Sequence, residues 1–152
     1  MSYVDRVLQP GEHVAAHATL HWVIYLPGSA ALVAAIIIAI AAYQAPGYVA
    51  AIQILALLLA ALGMVQILNA WWRRWGTEIA VTNRRVIYKT GVIRRRTVEM
   101  NVEQIESVQV DQSILGRVLG YGDISMHGTG EGIESMRLIA DPVTVRNAVT
   151  AR

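Results

Sequence analysis

A chain of 152 residues has room for one ordinary domain, or for a membrane anchor and a small domain. Its 55% apolar composition is high for a soluble domain of that length, and the net charge of +2 fits a face near anionic lipid as well as any other partner. The absence of cysteine excludes disulfides, thiolate chemistry and cysteine-based zinc sites.

Charge is unevenly placed. Only Asp5, Arg6 and Glu12 precede Arg73, and every other charge lies between Arg73 and Arg152. A soluble domain needs charged surface along its whole length, so this asymmetry predicts a membrane segment followed by a polar domain.

Residues 1–12 form a short arm closed by the turn Gln9-Pro10-Gly11-Glu12. In residues 12–20, Val14, Ala16, Ala18 and Leu20 would share one face, with His13, His17 and His21 on the other, a period of two that predicts a strand. The alanines leave a helical lead-in as the alternative. His13, His17 and His21 recur every four residues. Three imidazoles can hold zinc or nickel, but no orienting partner accompanies them, and the expectation is that they bind no metal.

Residues 22–43 are almost wholly apolar and long enough to cross a hydrocarbon core of about 30 Å as a helix. Trp22, Tyr25 and Tyr43 stand where interfacial anchors belong. Pro27-Gly28 falls in the first turns, where proline costs least. After a tight turn over residues 44–48, a second apolar run extends to Trp72, with Tyr48 at its start. It ends in Trp71-Trp72-Arg73-Arg74-Trp75, indoles for the interface and arginines for the cytoplasmic side. Two spans joined by so short a loop make an antiparallel hairpin with both chain ends in the cytoplasm. Ala30, Ala34, Ala31, Ala35 and Ala39, with Ala56 and Ala60, provide small residues at four-residue spacing for close helix approach. Neither span holds Asp, Glu, Lys or Arg before Arg73, which argues against charged-substrate or proton-coupled transport. No basic region directly precedes the first run, and a second run follows it, which argues against a cleaved signal peptide.

Beyond Trp75 the chain reads as short strands and turns. Residues 77–82 and 85–90 alternate around Asn83-Arg84, a hairpin pattern. Residues 94–100, 106–112, 121–127 and 134–139 supply four more strands. Residues 113–120 predict a helical turn that plugs one end of a barrel. Asp141-Pro142 starts a closing helix whose inner stripe is Val145, Ala148 and Val149.

Several runs carry a resemblance. Glu78-Ile79-Ala80-Val81-Thr82-Asn83-Arg84-Arg85-Val86-Ile87-Tyr88-Lys89-Thr90-Gly91 resembles the opening hairpin of the bacterial pleckstrin-homology (PH)-like family. So do Ile105-Glu106-Ser107-Val108-Gln109-Val110-Asp111-Gln112-Ser113 and Leu115-Gly116-Arg117-Val118-Leu119-Gly120-Tyr121-Gly122. With Leu8-Gln9-Pro10-Gly11-Glu12 and His21-Trp22, the pattern is similar to the family's membrane-anchored branch, in which a two-helix hairpin precedes the domain. The resemblance implies a partly open antiparallel barrel of about seven strands capped by a C-terminal helix, held at a bacterial inner membrane. The residues alone supply six strands after the membrane, so residues 12–20 are expected to bring the seventh. The expected organisation is an arm over 1–21, a transmembrane hairpin over 22–75 and a cytoplasmic PH-like domain over 76–152.

Arg94, Arg95 and Arg96, with Arg84, Arg85 and Lys89 on the neighbouring hairpin, make the densest basic cluster and are candidates for lipid phosphates. The plainer reading is a solvated strand surface that discourages edge pairing. Gly128-Thr129-Gly130-Glu131-Gly132 precedes no helix and lacks Lys-Ser/Thr, so it reads as a turn and not as a nucleotide loop. No nucleophile motif accompanies the serines and histidines, no cofactor is expected, and no aromatic interleaving points to nucleic acid. The expected role is a non-catalytic interaction or scaffold module that assembles with itself or other membrane proteins. A binder of anionic lipid headgroups is the alternative, and a small oligomeric transporter the third reading.

Overall fold

The computed structural model describes residue 4 and residues 7–44, 47–92, 95–129 and 133–151. Part of the turn over 44–48 (residues 45 and 46), Arg94, and residues 130–132 of the glycine-rich turn lie outside the described residues. The chain divides into two compact units, Met1–His21 with Arg73–Arg152, and Trp22–Trp72.

The first unit holds seven strands in two antiparallel sheets. The larger sheet runs in the order β1 (Val14–Ala18), β2 (Glu78–Thr82), β3 (Arg85–Thr90) and β4 (Arg96–Asn101). The smaller contains β5 (Ile105–Asp111), β6 (Tyr121–Gly128) and β7 (Ile133–Ala140). The seventh strand comes from the arm, where β1 pairs with β2 and sets Val14 opposite Thr82 and Ala18 opposite Ile79. The long helices therefore interrupt the chain between two neighbouring strands of one sheet.

The register defines two ends of this unit. At the entry end, where the chain leaves at His21 and returns through Arg73–Gly76, lie Ala18, Ile79, Lys89 and Arg96. At the far end, Thr82 faces Val14 and Arg85 faces Asn101. The arm also closes one seam between the sheets: Leu20 bridges to Ile139, His21 N–H donates to Leu138 O at 2.7 Å, and Ala140 N–H donates to Thr19 O at 3.0 Å. A register shift between Gly122 and Ile124 marks a bulge there. Leu138 takes a left-handed φ of 57°, and the Asp123 carboxylate accepts its N–H at 2.8 Å. The bulge bends the backbone at the point where the Leu138 carbonyl meets the arm.

No ladder joins β4 to β5 among the described residues, so the barrel is open along that side. The C-terminal helix (Pro142–Thr150) lies against β1, β2, β5 and β6. Its Asp141 cap accepts from Thr144 N–H, and Pro142 occupies the first turn, as the Asp-Pro signal predicts. Val145 and Val149 from this helix join Ile79, Val81, Val86, Ile124, Met126, Met136 and Ile139 in the core. The strand β2 is buried from Ile79 through Thr82, so it is covered on both faces.

The second unit is a pair of helices, α1 (Leu26–Ala41, flanked by 3-10 turns Trp22–Tyr25 and Ala42–Gln44) and α2 (Val49–Gly76, whose last residues belong to the first unit). Both are long and apolar enough to cross a membrane, over Trp22–Gln44 and Val49–Gly76. Their large aliphatic side chains are mostly exposed, with Ile36, Ile37, Ile40, Leu55, Leu57 and Leu58 among them. A water-soluble helix pair would bury such a surface.

The buried positions on these helices are Gly28, Ala35 and Ala42 on one segment and Ala56, Gly63 and Ala70 on the other. Both sets step by seven residues, the repeat of a left-handed helix seam. At Gly63 an added Cβ would stand 2.9 Å from Gly28 O, and at Gly28 it would stand 2.6 Å from Ile67 Cγ1. Backbone therefore meets backbone, and the four-residue alanine spacing read from the sequence is a byproduct of composition at Ala30, which is exposed. Gly63→Leu is expected to destabilise the helix pair by about 1–3 kcal/mol. Ala61→Leu, at an exposed position, is the neutral control, and thermal unfolding of the full chain in detergent, followed by tryptophan fluorescence, compares them.

Candidate functional site

Gln9-Pro10-Gly11-Glu12 forms the tight turn that opens the arm. Glu12 N–H donates to Gln9 O at 2.9 Å, and Gly11 has a φ of 80°. Proline second and a positive-φ glycine third is the requirement of a type II turn. The turn aims the Glu12 side chain at the β2–β3 connection, where a buried polar node forms. Arg85 grips the carboxylate with Nε on Oε1 and Nη2 on Oε2, both at 3.0 Å. Thr82 Oγ1 donates to Oε1 at 2.7 Å, and Gln9 N–H donates to Oε2 at 2.9 Å. The remaining guanidinium donors reach Glu99 Oε2 at 2.7 Å and Val7 O at 2.9 Å.

Burial alone would raise the Glu12 pKa. The hydrogen bonds from Arg85, Gln9 and Thr82, with the Arg85 charge, outweigh it and lower it from 4.5 to about 2. Because the folded value lies below the unfolded one, this stabilisation is complete above pH 4.5 and is lost as pH falls towards about 2. It amounts to about 3 kcal/mol at neutral pH. Glu12→Gln is expected to lower stability by about that much at pH 7. The gap between variant and parent should close as pH falls from 4.5 to 2, measured by thermal unfolding across that range.

Asn83 completes the grip on the arm. Its Oδ1 accepts from His13 N–H at 3.1 Å, and its own N–H donates to His13 O at 3.2 Å. Next to it, an open groove of about 670 Å³ at the far end is lined in part by His13, Asn83, Arg84, Asn101 and Glu103. His13 and His17 are exposed, about 13 Å apart on extended chain, too far to share an ion. His21 is buried, with its ring 5.4 Å from that of Tyr121. Burial keeps the His21 imidazole below the usual histidine range, the Arg74 charge pushes the same way, and a hydrogen bond with the Leu119 backbone opposes both.

The structure divides the basic cluster into two ends of one hairpin. Arg84 and Arg85 lie at the far end, and Arg85 is held by Glu12 and Glu99. Lys89, Arg95 and Arg96 lie towards the other end, where Thr90 pairs with Arg96 and Lys89 faces Glu78. That turn belongs to the entry end, because an added Cβ on Gly76 would stand 2.7 Å from Val92. About 13 Å of strand separates Arg85 from Lys89. Arg94 is outside the described residues.

The aromatic residues expected as interfacial anchors fall at helix ends. Trp22 and Tyr25 occupy the 3-10 turn that opens the first span, and Tyr43 the one that closes it. Tyr48 precedes α2, and Trp71, Trp72, Arg73, Arg74 and Trp75 form its last turns. Trp71 and Trp72 have ring centroids 6.2 Å apart.

The helix α3 (Ile114–Leu119) corrects one expectation. It exists where the sequence places it, with Ser113 Oγ accepting from Gly116 N–H at 3.0 Å and a left-handed Gly120 closing it. It does not plug the barrel. Only Gly116 is buried, while Ile114, Leu115 and Val118 are 86%, 66% and 77% exposed.

With two open sheets, a closing helix and a helix pair inserted between β1 and β2, the architecture can be set beside known proteins. The bacterial PH domain family matches residues 15–151. The chain belongs to that family. The match runs through the helix pair as well as both sheets, so in this bacterial PH protein the insertion between β1 and β2 falls within the matched region. No curated protein and no solved structure matches the chain.

Proposed function

We propose that this bacterial PH protein is a membrane-anchored interaction module that assembles with copies of itself or with other membrane proteins. The observation that carries this reading is the open side of the barrel. Strand β5 and the Thr97–Asn101 stretch of β4 have no ladder partner on their outer sides among the described residues. Half-buried Val98, Met100, Val108 and Val110 alternate along the same two strands. An open edge of this kind takes an added strand, with main-chain hydrogen bonds for affinity and alternate side chains for specificity. The buried small-residue positions of the helices already form the seam within the pair, so the barrel edges are the surface this reading uses.

The exposed aliphatic helices favour a bilayer anchor, and Arg73 with Arg74 favours the cytoplasmic side of a bacterial inner membrane for the PH unit. Both flanks of the helix pair belong to one compact unit, which agrees with an even number of crossings and both chain ends on one side. No catalytic role is assigned. The mass of the full chain in lipid nanodiscs, read by native mass spectrometry, tests the proposal. Multiples of the 16.6 kDa protomer, or a stoichiometric second membrane protein, are expected, and a bare monomer would overturn it.

A second reading keeps anionic lipid as the ligand and rests on the end of the hairpin where Lys89, Arg95 and Arg96 lie. In nanodiscs containing anionic lipid, Arg95→Ala with Arg96→Ala is expected to reduce retained anionic lipid several-fold. Arg84→Ala, at the far end, is expected to leave it unchanged. Equal retention in both variants rules the headgroup reading out.

A further inference from the structure

Among the described residues of the strands and helices after Gly76, the large apolar side chains that stand exposed are Ile114, Leu115, Val118 and Leu119 of α3, with Val143 at the start of the closing helix. Asp141 N–H donates to Gly120 O at 2.9 Å, which ties the end of α3 to the start of the closing helix. Spacings of four pair Ile114 with Val118 and Leu115 with Leu119 along the short helix. This is a built feature and not a loose loop. Ser113 caps the start, Gly120 closes the end, and Gln112 Nε2 donates to Tyr121 O at 3.0 Å. At Gly116 an added Cβ would stand 2.6 Å from Tyr121 O, so the helix rests on the strand through its glycine. Ile114, Leu115 and Val118 stand largely exposed, and Leu119 is partly so.

The position of α3 says what covers these side chains. Leu119 and Tyr121 contact His21, the residue immediately before the first apolar span, and the Arg74 charge acts on the same imidazole. The helix therefore belongs to the end of the PH unit from which both long helices depart. From Gln112 through Gly122 the sequence has no acidic residue, and its single charge is Arg117. Exposed aliphatics with one cation suit the boundary between phosphate headgroups and acyl chains.

We propose that α3 is a membrane wedge: Ile114, Leu115, Val118 and Leu119 enter the headgroup–acyl boundary of the bilayer while Arg117 stays at phosphate level. The wedge rests on the bilayer reading of the helix pair and adds a third contact with lipid. It would fix the rotation of the PH unit against the surface, which two covalent legs leaving adjacent strands leave less constrained.

The chain has no cysteine, so single labels can be placed on the full-length protein in liposomes. An environment-sensitive fluorophore on Val118→Cys is compared with one on Leu57→Cys, exposed on the second long helix, and one on Glu103→Cys, exposed at the far end of the barrel. Quenchers are a nitroxide high on the lipid acyl chain and aqueous iodide. The expected result is a blue-shifted Val118 label quenched several-fold more by the lipid nitroxide than the Glu103 label, and protected from iodide. Iodide quenching equal to that at Glu103 overturns the wedge. A blue-shifted Val118 label that the lipid nitroxide does not reach also overturns it and assigns the patch to a protein contact. If the Leu57 label responds to lipid and Val118 does not, the anchor stands and only the wedge fails. If neither responds, the bilayer reading fails with it.

Discussion

The pairing of β1 with β2 is the constraint on which the rest depends. These strands are neighbours in space, yet the whole apolar helix pair separates them in sequence. The Glu12–Arg85 grip and the Asn83 bonds to His13 hold the arm at the far end of that pairing. A one-residue slip of β1 would turn Ala18 out of the core, and the node opposes such a slip by giving Glu12 one geometry that satisfies both carboxylate oxygens. Measured against an apolar pair of the same shape, a buried ion pair yields little stability, so what this pair adds beyond apolar packing is register. Leaving either partner alone in that place would be costly.

The bulge at Leu138 extends the same constraint to the second sheet. β7 is the edge strand of its sheet, and beside the bulge its outward Leu138 carbonyl and Ala140 N–H pair with the arm. The left-handed Leu138 is a strained position, held by the Asp123 carboxylate on one side and the arm on the other. Thus the arm reads both sheets in ten residues: it pairs with β2, bridges to β7, and then leaves as a helix. Removing the arm from the domain would expose one face of the seam between the sheets, so the PH unit is built from both sides of the helix pair.

Apolar surface is distributed in a way that matches this connectivity. In the strands and closing helix it turns inward, onto Ile79, Ile124, Met126, Met136 and Ile139. In the helix pair it turns outward, and glycine and alanine occupy the seam. Side chains as small as these allow helix backbones to touch, the mode of packing suited to a solvent that offers no hydrophobic gain from helix association. The exposed face of α3 follows the outward rule although it belongs to the polar unit, and its last residue, Leu119, meets His21.

Much of this protein is legible in local signals. The two apolar runs, the turn at Asn83-Arg84, the Asp-Pro helix start and the alternation of residues 12–20 each predict an element that the structure contains, because each depends on periodicity or on the backbone preferences of a few residues. The resemblance to PH-like proteins, carried by longer runs of residues, matches the family and its two open sheets. What needed the tertiary structure is whatever depends on residues distant in sequence. Arg85 looks like one more member of a basic cluster until Glu12 is brought to it across the inserted helices. Lys89 and Arg85 look like near neighbours until a strand's length is laid between them. The seven-residue seam is hidden among many alanines, since composition alone offers every spacing. The aliphatics of α3 look like a plug because apolar residues in a glycine-bracketed turn usually face inward. Only the close seat of Gly116 on Tyr121 shows that the helix turns them out.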